Sequence, residues 1–241
     1  MKQGVFILFL VVGLASCNLI DMTRIRGNGT IASKEYQLKE FKGIDISGDK
    51  SLYIKQDTTL RVRVETDENI LNLLDVRVAN GVLSVSVKGG YWIDPSDEIK
   101  VYVSMPLLKT LTVSGASEVE SDGRFSQNEK LSVKLSGASE GTLNFRAPDI
   151  DATVSGASTA TIQGESRNVI ASVSGASTLE GFDLKTENNS VEASGASTAN
   201  VFASVSLKGN ASGASKINYR GNPKVSQKIS GAGSIKKLGE Q

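Results

Sequence analysis

Apolar and polar positions alternate along most of this chain, and the alternation is most regular in its second half. Leu111/Val113, Val133/Leu135, Ala152/Val154, Ala171/Val173 and Val191/Ala193 stand three residues and one residue before a recurring Ser-Gly-Ala. Val119, Ala160/Ile162, Leu179, Ala199/Val201 and Ile217/Tyr219 follow the first serine of that motif by five and seven residues. All four offsets share one parity, which is the period of a strand with a single buried face. No window of this half places apolar residues at helical spacing. The pattern predicts an all-β protein.

Ser-Gly-Ala occurs seven times, beginning at Ser114, Ser136, Ser155, Ser174, Ser194, Ser212 and Ser230, with spacings of 22, 19, 19, 20, 18 and 18 residues. A period near 20 residues marks stacked supersecondary units, none of which can close on itself. In-phase copies fit coils of a parallel β-helix better than an antiparallel meander, whose tight hairpins do not explain them. If each strand runs straight through its motif, parity turns the repeat glycines Gly115, Gly137, Gly156, Gly175, Gly195, Gly213 and Gly231 inward. The same parity predicts an inward ladder of Ser117, Ser139, Ser158, Ser177, Ser197 and Ser215, with each hydroxyl able to bond the next.

The first half is also rich in strand patterns: Ile44-Asp45-Ile46, Leu52-Tyr53-Ile54, Leu60 to Val64, Val82 to Val87 and Ile99 to Val103. Asn80-Gly81 is a strong hairpin signal between the runs around Val76 and Val87. One helical turn is expected near Glu68 to Leu74, because Ile70, Leu71 and Leu74 fall on one face. Gly89 to Glu98 reads as a long loop. It carries Tyr91 and the only tryptophan, Trp92, beside Asp94, Asp97 and Glu98. This aromatic pair and these carboxylates form the candidate ligand-binding loop, able to stack on a sugar ring and bond its hydroxyls. No metal site is expected there, since the carboxylate spacing lacks the EF-hand pattern.

At the N-terminus, Lys2 precedes an apolar run from Val5 to Leu14, too short to span a bilayer but suited to a secretory signal. Leu14-Ala15-Ser16-Cys17 resembles the lipobox of bacterial lipoproteins. The resemblance implies cleavage before Cys17, lipidation of that residue and a membrane held through it; Asn18 in the next position favours the outer membrane. Four segments follow: a signal peptide over 1–16, a lipidated cysteine and polar tether over 17–34, a β-rich part over 35–113, and the repeat over 114–238. Gly27-Asn28-Gly29 belongs to the expected tether, as no helix pattern follows it to make a phosphate loop.

Composition narrows the chemistry. The chain of 241 residues has no histidine and one cysteine, with 27 Lys and Arg against 26 Asp and Glu. The commonest general base and metal ligand is therefore missing, and so is any internal disulfide. Neutral balance argues against a nucleic-acid partner. No cofactor is expected.

The order Gly27-Asn28-Gly29, Phe41-x-x-Ile44-x-Ile46-Ser47-Gly48, Asn80-Gly81-x-Leu83, Pro106-x-Leu108 and Leu111-x-Val113-Ser114-Gly115-Ala116 resembles the head GIN domain, a family named for auto-transporter adhesin heads. The resemblance spans about residues 27 to 238, and the serial Ser-Gly-Ala copies are its most specific part. It implies a right-handed parallel β-helix (solenoid) and brings no catalytic residues. Ile46-Ser47-Gly48 resembles a degenerate first copy of the repeat.

The resulting expectation is a non-catalytic, adhesin-like binding module on a cell-envelope lipoprotein. Glycans, matrix proteins or envelope polysaccharide are its candidate partners, and self-association is open to it. The rivals are an envelope-maintenance lipoprotein without external ligand and a polysaccharide-acting β-helix enzyme. The enzyme is disfavoured because Glu118, Glu120, Glu140, Asp149, Asp151, Glu165, Glu180 and Asp183 are scattered rather than convergent. Lys224, Lys228, Lys236 and Lys237 are expected to guard the open edge of the last coil.

Overall fold

The computed structural model describes residues 23–239; the expected signal segment 1–16 and the expected lipidation site Cys17 lie outside the described residues. The chain forms a β-solenoid of about six turns whose parallel strands stack coil on coil at roughly 20-residue spacing. Strand pairing reproduces the spacing of the motif. Thr110 pairs with Ser132, Leu131 with Ile150, Ile150 with Val169 and Val169 with Asn189, so each copy sits on the one before. The inward columns predicted from parity are buried: Leu111, Val133, Ala152, Ala171 and Val191 on one face, and Val119, Ala160, Leu179, Ala199 and Ile217 on the other. Together with Ile44, Leu52, Leu83 and Val101 they form one continuous core. Small residues sit where large ones intrude. At Gly141, for example, a Cβ would lie 2.8 Å from the Leu135 side chain.

The Ser-Gly-Ala motif is a corner, and this corrects the expected direction of its glycines. The strands Thr110–Ser114 and Glu118–Asp122 end and begin on either side of residues 115–117. Gly115, Gly137, Gly156, Gly175, Gly195, Gly213 and Gly231 are therefore exposed, not inward. Parity survives because the inward residues flanking the corner are four positions apart. Each of the seven adopts a left-handed backbone, with φ between 68° and 84°. Each is also pressed against the corner before it. The Ala157 amide donates to the Gly137 carbonyl at 2.7 Å, and a Cβ on Gly156 would lie 2.5 Å from that oxygen. Only glycine meets both demands. Gly48, at φ 90°, heads the same column under Gly115, as the degenerate Ile46-Ser47-Gly48 implies.

The serine ladder is present, but its hydroxyls do not bond one another. Ser117, Ser139, Ser158, Ser177, Ser197 and Ser215 are all buried. Ser177 Oγ lies 2.7 Å from the Ser174 carbonyl of its own corner and 3.0 Å from the Val154 carbonyl of the coil before; Ser197 repeats the arrangement. A short hydroxyl thus satisfies the corner's inner carbonyls, which water cannot reach.

The N-terminal part is wound differently. Its elements are β1 (Thr23–Arg26), β2 (Ile31–Tyr36), β3 (Gly43–Ser47), β4 (Lys50–Gln56), β5 (Arg61–Asp67), α1 (Glu68–Leu71), β6 (Leu74–Ala79), β7 (Val82–Val87), β8 (Tyr91–Asp94) and β9 (Ile99–Met105). β3 pairs in parallel with Thr110–Ser114, so the stack extends back beyond residue 114. β7 and β9 pair in parallel with β3 and β4 on their other side, placing a later stretch of chain beneath an earlier one. Antiparallel strands then cover that end, with β6 on β7, β5 on β9 and β2 on β5. Asn80 and Gly81, with φ of 52° and 74°, make the expected hairpin turn between β6 and β7. α1 buries Ile70 and Leu71 as its pattern requires.

Two expectations fail in this part. Residues 23–34 are not a tether: they hold β1 and most of β2, short strands whose exposed side chains give no amphipathic signal. The Gly89–Glu98 segment is not simply a long loop, because Tyr91–Asp94 is a strand paired in parallel with β1. At the other end of the stack, Lys224–Ile229 and Ser234–Lys237 pair on one side only, and their four lysines are exposed on these edge strands.

Candidate binding surface

The β1–β8 ribbon sets Arg24 opposite Trp92 and Arg26 opposite Asp94. Trp92 is 53% exposed and Tyr91 39%, large values for aromatic side chains. The Arg24 guanidinium lies 4.5 Å over the Trp92 ring and donates to Asp94 Oδ2 at 2.8 Å, with Arg26 Nε at 3.5 Å from the same oxygen. The hydrogen bond from Arg24 holds the Asp94 carboxyl below the ordinary carboxylate range. Asp94 is therefore engaged with arginines, and about half of the Trp92 surface stays exposed.

Asp97 and Glu98 share Lys100, and each has a further partner. Asp97 accepts the Glu98 amide at 2.9 Å and stands 3.6 Å from Lys100; Glu98 accepts the Ser51 hydroxyl at 2.6 Å. Among the described residues no cluster of three His, Cys, Asp or Glu is arranged to hold a metal. The strand is pinned from inside by Asp67. This fully buried carboxylate accepts the Ser96 amide and hydroxyl at 2.8 and 2.7 Å and the Gly29 amide at 2.7 Å. Burial pushes its carboxyl up, but those donors together hold it below its ordinary value.

A second aromatic patch escaped the sequence reading. Tyr53 and Tyr102 pair across β4 and β9, with ring centroids 5.1 Å apart, and the Arg63 guanidinium lies 4.0 Å over Tyr102. Its signal was available. In Leu52-Tyr53-Ile54 and Val101-Tyr102-Val103 each tyrosine takes the outward position between two buried residues.

On the far side of the solenoid from the glycine corners, an open groove of about 640 Å³ crosses five coils. Arg146, Glu165, Arg167, Lys185, Glu187 and Phe202 line it. Glu165 is shared by Arg124 at 3.4 Å and Arg146 at 3.6 Å, and Lys185 Nζ lies 4.4 Å over the Phe202 ring.

The model of the family described as putative auto-transporter adhesin, head GIN domain, matches residues 40–223. The chain belongs to that family. Solved structures share its fold. A putative adhesin from Bacteroides fragilis superposes with a TM-score of 0.83 at 19% identity, over 89% of this chain and all of its own. A putative lipid binding protein from Parabacteroides distasonis gives 0.73 at 20%, over 90% of this chain and all of its own. A putative adhesin from the same species gives 0.72 at 23%, again over 90% of this chain and all of its own. No curated protein matches the chain. Among the described residues no helix is long and apolar enough to cross a membrane.

Proposed function

We propose that this GIN-domain protein is a non-catalytic, lipid-anchored binding protein of the cell envelope, with adhesion to a glycan or protein ligand as its role. Membership of an adhesin-head family supports the binding class, and the N-terminal pattern ending at Cys17 supports the anchor. The observation that carries the reading is the exposed Tyr91–Trp92 pair, held on a paired strand by Arg24. A spacer without a ligand has no use for an exposed indole braced in this way. Catalysis is disfavoured by the absence of histidine and by acidic side chains committed to neighbouring cations.

One structural neighbour is described as a lipid binding protein, so an interior lipid is the second reading. Size weighs against it. The apolar cavity lined by Ala152, Ile162, Val169, Leu179, Leu184 and Val201 measures about 10 Å³, at most a single water.

Two measurements test the proposal. Full-length protein carrying Cys17→Ala should leave the membrane fraction while keeping its fold; continued membrane association would refute the anchor. Binding to arrays of glycans, matrix proteins and envelope polysaccharide should weaken in Trp92→Ala. A wild-type array profile for that variant would move the ligand away from β8, and silence across all arrays would favour an envelope-maintenance role.

A further inference from the structure

Charge is unevenly distributed along the stack. Between Glu192 and Glu240 the chain carries seven cations, Lys208, Lys216, Arg220, Lys224, Lys228, Lys236 and Lys237, and no Asp or Glu. The rest of the chain holds 20 Lys and Arg against all 26 acids, a net of −6. The near-neutral total therefore conceals a rod with one basic end.

The outer surface is ordered toward that end by columns of polar side chains. Asp149 accepts from Asn168 at 2.8 Å, Asn168 from Asn188 at 3.1 Å and Asn188 from Ser206 at 2.7 Å, and the next residue in register is Lys224. Glu180 accepts from Asn200 and Asn200 from Asn218, both at 2.8 Å, and the next residue is Lys236. Glu192 accepts from Asn210 at 3.4 Å, and Lys228 follows. Each column starts on a carboxylate, runs through amides (and, in the first, the Ser206 hydroxyl) and ends on an exposed ammonium.

We propose that the last two coils form a binding site for an acidic polysaccharide, a sugar chain bearing carboxylate, sulfate or phosphate groups. Lys208, Lys224 and Lys228 share one outer face, where strand and coil spacings place Lys208 about 8 Å from each of the other two, which stand about 13 Å apart. Lys216 and Lys236 project from the adjoining face. These five are exposed, and among the described residues none of them takes part in an ion pair. Arg220 is excluded because it covers the Phe182 ring at 4.2 Å, and Lys237 because it donates to Asn222. Guarding the free strand edge accounts for lysines on the final coil. It does not account for Lys208 and Lys216 one coil earlier, nor for 47 consecutive residues without an acid.

The chain enters through β1, which pairs with β8 at the opposite end; from β7 to Lys224–Ile229 the parallel strand column takes eight strand-to-strand steps, about 38 Å. That exceeds the screening length of about 8 Å at physiological salt several-fold. With an anchor near residue 17, the basic end faces away from the anchoring bilayer, which favours a polysaccharide over that bilayer's own headgroups. This site is separate from Trp92 and does not depend on it.

The test uses full-length protein purified in detergent and labelled heparin, polygalacturonate, neutral dextran, duplex DNA and phosphatidylglycerol vesicles as probes. The acidic polysaccharides should bind at 0.15 M salt and weaken steeply as salt rises, and dextran should not bind. Preference between heparin and polygalacturonate identifies the anionic group. The triple change Lys208→Gln, Lys224→Gln and Lys228→Gln should weaken binding at least tenfold with unchanged melting. The equal charge change at Lys34, Lys39 and Lys88, in the N-terminal part, should alter it less than twofold. Lysine-to-arginine changes at the first three sites should retain binding. Equal losses in the two triple variants would overturn the site. So would tighter binding of DNA or vesicles than of either acidic polysaccharide, or failure of both polysaccharides to bind.

Discussion

The repeat half and the N-terminal part of this molecule share one core but are held by different means. From residue 110 onward each coil rests on the one before, and identity of position does the work: the same glycine, the same inward serine, the same strand register. In residues 23–105 only the degenerate corner at Gly48 belongs to the repeat. A later segment is tucked beneath an earlier one, antiparallel strands close the end, and a buried carboxylate fastens the junction. A repeating stack can rely on one local solution used many times, whereas an end must be closed by contacts that are each made once. Damage should therefore act through sterics in the stack and through polar satisfaction at the closed end.

The largest effect is expected where the corner column is filled. Gly175→Ala places a Cβ 2.6 Å from the Gly156 carbonyl oxygen at a φ of 80° and should cost about 4 kcal/mol. Gly81→Ala, at a similar φ but with open space around it, should cost only about 1 kcal/mol. Comparing the two melting temperatures isolates the clash; equal losses would mean that coil-to-coil contact is not what demands glycine.

At the closed end, Asp67→Ala strands three donors and should cost about 3 kcal/mol in denaturant unfolding. The carboxyl lies below its ordinary value in the folded protein. Its contribution is therefore present above the unfolded-state pKa of about 4 and is lost as pH falls through the folded value. Wild-type stability should drop on acidification in that window, and the Asp67→Asn curve should be flatter there.

A smaller change, Ser177→Ala, removes one buried hydroxyl and should cost about 1 kcal/mol. A matching loss in Ser197→Ala, read by the same melts, would show that the corners are energetically equivalent. Trp92→Ala should be the mildest, within about 0.5 kcal/mol of wild type, because the indole is exposed. That mildness keeps its effect on ligand binding readable.

The repeat was legible because its information is local. Parity around Ser-Gly-Ala gave the buried columns, and the period gave the stacking. What parity cannot register is a turn: it assumed that the strand ran through the motif, so Gly175 was expected inside although the corner throws it outward. The N-terminal part was legible in pieces, namely the Asn80-Gly81 hairpin and the turn carrying Ile70. β1 was not, since four residues, three of them exposed, become a strand only by pairing with Tyr91–Asp94, far along the chain. The Trp92 surface was found as a composition anomaly, while its bracing by Arg24 depends on that same distant pairing.

The unequal coil lengths carry a consequence for how such a molecule can change. Around the repeat's glycine corners, from Gly115 onward, the register does not slip. Thr159 pairs with Thr178 at an offset of 19, but Gly164 pairs with Leu184 at 20. Thr178 pairs with Thr198 at 20, but Asn188 pairs with Ser206 at 18. Within the repeat, residues are gained or lost on the opposite side, between Gly123 and Lys130 and near Phe182 and Phe202, beside the open groove. One seam is invariant and the other is free to lengthen or shorten. Mutation can thus remodel the groove loop by loop while the column of glycines keeps count, so heritable variety is directed to the surface and withheld from the scaffold.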